Sequence, residues 1–96
     1  MTLMKKINKL ENLIEESLTQ LNMLIQANKL PDDIEELKRV IETHITYAVF
    51  LKELTQDLHN SGKKNYSKDF LVSQFSLIEK SCAIVSEIYN ENLDEL

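Results

Sequence analysis

Residues 3–25 run LMKKINKLENLIEESLTQLNMLI, and the spacing of their apolar members decides the fold. Leu3, Ile7, Leu10, Ile14, Leu21 and Leu24 advance in alternating steps of four and three, and Ser17 is the one polar member of that series. A helix turns once per 3.6 residues, so these positions stack on one face. Leu13, Leu18 and Ile25 widen the stripe on either side, as a helix with two neighbours requires. Lys, Glu, Asn and Gln fill the remaining positions. The pattern predicts a helix over residues 3–27 whose stripe is buried in a bundle.

Working outward, Asn28-Lys29-Leu30-Pro31-Asp32-Asp33 reads as a turn. Asn28 suits the left-handed residue that closes a helix, and Pro31 suits the first position of the next. Asp32, Asp33, Glu35 and Glu36 place negative charge at the positive end of that helix. A second helix is predicted over 31–60, with Ile34, Leu37, Ile41, Ala48, Leu51 and Leu58 repeating the spacing, and with His44 and Thr55 as polar interruptions. Gly62 ends it within a second turn, Ser61-Gly62-Lys63-Lys64-Asn65. Ser67 is the predicted N-cap of a third helix over 67–93, with Tyr66 and Leu71 as a hydrophobic staple across it. Leu71, Phe75, Ile78, Cys82, Val85 and Tyr89 form its inner row, flanked by Phe70, Leu77, Ile84 and Ile88. Helices of similar length joined by short turns are antiparallel neighbours. The expected architecture is all-α: residues 1–96 form a single domain, an up-down-up antiparallel three-helix bundle.

Composition narrows the function. The 96 residues carry 16 acidic and 11 basic side chains, a net charge of −5, with 43% hydrophobic residues. An acidic chain lacks the concentrated basic face that phosphate binding needs, so nucleic acid is not an expected partner. No stretch approaches the roughly 18 apolar residues of a membrane span, so stable membrane insertion is not expected either. The one cysteine, Cys82, permits no intrachain disulfide, and the N-terminus lacks a signal-peptide apolar run; both lean towards a cytoplasmic setting. Antiparallel order also predicts a charge dipole. Lys5, Lys6, Lys9, Lys63, Lys64 and Lys68 gather at one end; Asp32, Asp33, Glu35, Glu36, Glu87, Glu91, Asp94 and Glu95 gather at the other.

Signals for chemistry are sparse. There is no Gly-rich phosphate loop, zinc-ligand spacing, nucleophile elbow or Glu-x-x-His pair. No catalytic, cofactor-binding or metal-binding residue is therefore assigned, and the chain is expected not to be an enzyme. Cys82 falls in the inner row of the third helix and reads as inert packing. Arg39 and His44, spaced Arg-x4-His, resemble the catalytic motif of HEPN-type ribonucleases, although Val40 stands where that family usually adds a polar residue. A distant alternative, a small HEPN-like ribonuclease, follows from that resemblance. His44 lies on the inner stripe, where a core histidine bonded to Ser17 or another polar neighbour is the expected role.

Tyr47-Ala48-Val49-Phe50-Leu51 is the most informative segment for binding. Five consecutive apolar residues cover the full circumference of a helix. At 100° per residue, Ala48 and Leu51 face inward with Ile41 and Ile45, and Val49 and Phe50 point away. The expected partner-binding residues are Val49 and Phe50, with Tyr47 and Leu54 at the edge. Met23 and Val72 are expected outward by the same count.

Residues 15–57 resemble the small co-chaperones that hold type III secretion needle subunits in the bacterial cytosol. The features that carry this are the Pro-acidic turn at Pro31-Asp32-Asp33, the spaced Leu37 and Ala48, and the segment Leu51-Lys52-Glu53-Leu54-Thr55-Gln56-Asp57. That family is usually two-helical, so the third helix is a departure. A weaker resemblance is to class IIa bacteriocin immunity proteins, which are bundles of about this size but usually four-helical. The expectation is a non-catalytic module that binds another protein, or a second copy, through the apolar face of the second helix that Val49 and Phe50 mark. A secretion co-chaperone is the first expectation; a bacteriocin immunity protein or phage-encoded inhibitor is the alternative.

Overall fold

A computed structural model of the chain describes residues 2–27, 34–60, 62 and 64–95, without the side chains of Ile34 and Glu95. Three helices account for most of it: α1 (Leu3–Gln26), α2 (Ile34–His59) and α3 (Lys68–Glu91), followed by a 3₁₀ turn at Leu93–Glu95. There is no strand among the described residues. The chain is an all-α three-helix bundle, with principal extents of 47 × 26 × 20 Å. The first predicted turn, Asn28 to Asp33, and with it the Pro31 helix start, lies outside the described residues.

Local chemistry explains the helix ends. Thr2 is extended (φ −74°, ψ 156°), and its hydroxyl accepts the Lys5 N–H at 3.3 Å, an N-cap that the apolar pattern alone did not mark. The predicted Ser67 cap is present, with Oγ accepting the Phe70 N–H at 3.1 Å. Tyr66 and Leu71 both pack against the core cluster beside it. Gly62 takes φ +66°, which closes α2 as expected, and its N–H donates to the Asp57 carbonyl at 2.8 Å. The buried Asp57 also accepts the Lys64 N–H through Oδ1 at 3.0 Å. Asp57 thus holds the α2–α3 turn through both its main-chain carbonyl and its carboxylate.

α1 is the central element. It packs most extensively against α3, then against α2, while α2 and α3 meet most sparingly. Ile7, Leu10, Ile14, Leu51, Leu54, Phe75, Ile78 and Cys82 form one contiguous buried cluster. The α1 series is buried as predicted from Ile7 to Leu24, Ser17 included. On α2 the inward face is rotated from expectation. Leu51 is buried and Ile41 and Ala48 are half-buried, but Ile45 is 53% exposed and Leu54 only 1% exposed. The centre of the face runs through His44, Leu51 and Leu54, because α2 must reach both α1 and the start of α3; Ile45 lies more than a quarter-turn away from that line. Met23 and Val72 are exposed, as expected.

Replacing Ser67 with Ala should cost about 1 kcal/mol by loss of the cap. Gly62→Ala should cost a similar amount, about 1 kcal/mol, because a Cβ meets nothing there and only the left-handed backbone resists it. Urea midpoints on the two variants measure both.

Candidate functional site

Two constellations stand out: a buried polar layer in the core, and an apolar flank left open between α2 and α3.

The polar layer takes one residue from each helix. His44 is fully buried, with Nδ1 2.8 Å from the Val40 carbonyl oxygen and Nε2 2.7 Å from Ser17 Oγ. A carbonyl only accepts, so Nδ1 carries a proton; in the neutral ring Nε2 then accepts from the Ser17 hydroxyl. Cys82 Sγ lies 3.9 Å from Nε2. Burial pushes the Cys82 thiol above its ordinary value of 9.0; the Ser17 hydrogen bond opposes this and the charge of Glu16 adds to it. Both the burial and the raised titration of this thiol oppose its activation as a nucleophile. Arg39 is exposed whereas His44 is sealed, so the two residues of the HEPN-like spacing share no surface. Among the described residues, no group of three or more His, Cys, Asp or Glu side chains is placed to hold a metal ion. Nor is any described helix long and apolar enough to cross a membrane.

The four residues expected to bind a partner are not presented together. Val49 is 50% exposed. Tyr47 and Phe50 are half-buried against the core cluster, and Leu54 belongs to it. Leu54 is therefore a core residue rather than the edge of a surface. Phe50 meets Tyr66 and Phe70 edge-on, each at a centroid distance of 6.1 Å, and those two rings stack on each other at 5.7 Å. The cover over Phe50 comes from the α2–α3 turn and the start of α3.

Exposed apolar residues occur on all three helices, and α3 carries a regularly spaced row of them. Phe70, Leu77 and Ile84 follow one another at intervals of seven residues and are all exposed, Leu77 by 44% and Ile84 by 54%. The row begins against α2, where Phe70 touches Phe50. At the other end Ile84 and Ile88 line a small cleft, about 40 Å³, together with Leu37 and Val40. The heptad interval was readable in the sequence, but it read there as the widened edge of the core stripe. Only the sparing contact between α2 and α3 leaves that edge uncovered.

No family model, curated protein or solved structure matches this chain.

Two predictions separate core from surface. Phe50→Glu should lower stability by several kcal/mol, because it puts a carboxylate among packed rings, whereas Val49→Glu should shift it by no more than about 0.5 kcal/mol; thermal melts followed by circular dichroism distinguish them. The raised Cys82 thiol predicts a pH effect. Below the thiol's ordinary value of 9.0 both states keep the proton, and the stability contribution is fully present. Above it the unfolded chain ionises first, so that contribution is lost as pH rises towards the folded-state value. The stability difference between the native protein and Cys82→Ala should therefore narrow above pH 9.0, as read from denaturation curves at a series of alkaline pH values.

Proposed function

We propose that this chain is a non-catalytic protein-binding module that receives a helix of another protein along the α2–α3 flank. The observation that carries it is the exposed row Phe70, Leu77, Ile84 beside the seam where α2 and α3 meet most sparingly. Single exposed apolar residues are ordinary, but a row of large ones on one face marks a contact surface. Residues at intervals of seven on a helix fit the stripe of a second helix laid alongside. Fully burying such a side chain contributes roughly 1.5–3 kcal/mol, and these begin about half covered. Three of them therefore supply a few kcal/mol towards the cost of association.

The non-catalytic part of the proposal rests on the polar groups. His44 is fully buried, and Ser17 and Cys82, which also line a shallow cleft between α1 and α3, are its partners within the core. The resemblance to needle-subunit co-chaperones gives the partner a concrete form: a helical subunit kept from self-assembly in the cytoplasm before export. An open seam between two helices suits that task, since a guest helix completes it as a fourth element.

Leu77→Glu and Ile84→Glu should each leave helix content unchanged and stability within about 0.5 kcal/mol, because both side chains are half in water already. Both should release a partner that the native chain retains from its own cell lysate, as read by quantitative mass spectrometry. Lys52→Glu, on an exposed position of α2 beside α1, should retain it. A partner held equally by all of these variants refutes the proposal.

A further inference from the structure

We draw no further inference here: the strongest candidate, the exposed apolar row Phe70, Leu77 and Ile84 along α3, belongs to the surface already proposed, and nothing in the structure shows what covers it.

Discussion

A fully buried imidazole has to find partners for both ring nitrogens, and in this bundle that requirement sets the register of the helices. Leaving one nitrogen unsatisfied would cost about 1–3 kcal/mol. His44 satisfies Nδ1 within its own helix, at the Val40 carbonyl, and Nε2 across the bundle, at Ser17. The apolar stripes alone do not distinguish one register from another a heptad away. Slide α1 by seven residues and Leu10 or Leu24 would face His44, with nothing to offer it. Slide α3 by seven and Phe75 or Tyr89 would replace the small thiol of Cys82. One polar layer among leucines therefore penalises each slipped alignment, as a single buried polar residue does in coiled coils.

With register set, the two ends of the α2–α3 seam diverge. At the turn end, Asp57 holds the backbone of Gly62 and Lys64, Ser67 caps α3, and Phe50 closes against Tyr66 and Phe70. Edge-on ring pairs of this kind contribute about 0.5–1.5 kcal/mol beyond the area they bury. At the far end Leu37 and Val40 face Ile84 and Ile88 across a cleft. The same pair of helices is thus clamped at one end and unsealed along the rest, and α1, which touches both, carries the continuity of the core.

Most of the fold was legible because the 3.6-residue period is strong wherever a helix buries a wide stripe. The α1 series, the inner row of α3 and the Ser67 cap all read directly, and so did His44 as a core residue bonded to Ser17 or another polar neighbour. The rotation of α2 was less legible, since Tyr47 to Leu51 is apolar all round and its periodicity leaves the inward direction loosely specified. Ile45 and Leu54 exchanged places for that reason. Phe50 was read as surplus to the core, which holds for a straight stripe count; its cover is two aromatic rings contributed by the next turn, a contact between residues sixteen to twenty apart that no helical period encodes. The open flank was hidden by the same limit. Whether Phe70, Leu77 and Ile84 widen a core or face water depends on how closely α2 approaches α3, and that distance is a property of packing rather than of either helix.

The division between core and flank bears on what maintains each. Ile7, Leu10, Leu24, Leu51 and Ile78 are sealed, and truncating residues of that kind costs about 2–5 kcal/mol, so folding alone accounts for their apolar character. Leu77 and Ile84 are about half in water, where polar residues would serve the fold nearly as well. Folding therefore does not account for large apolar side chains there at intervals of seven, and neither does solubility, which they oppose. An apolar row that stability does not require is what the proposed binding surface rests on.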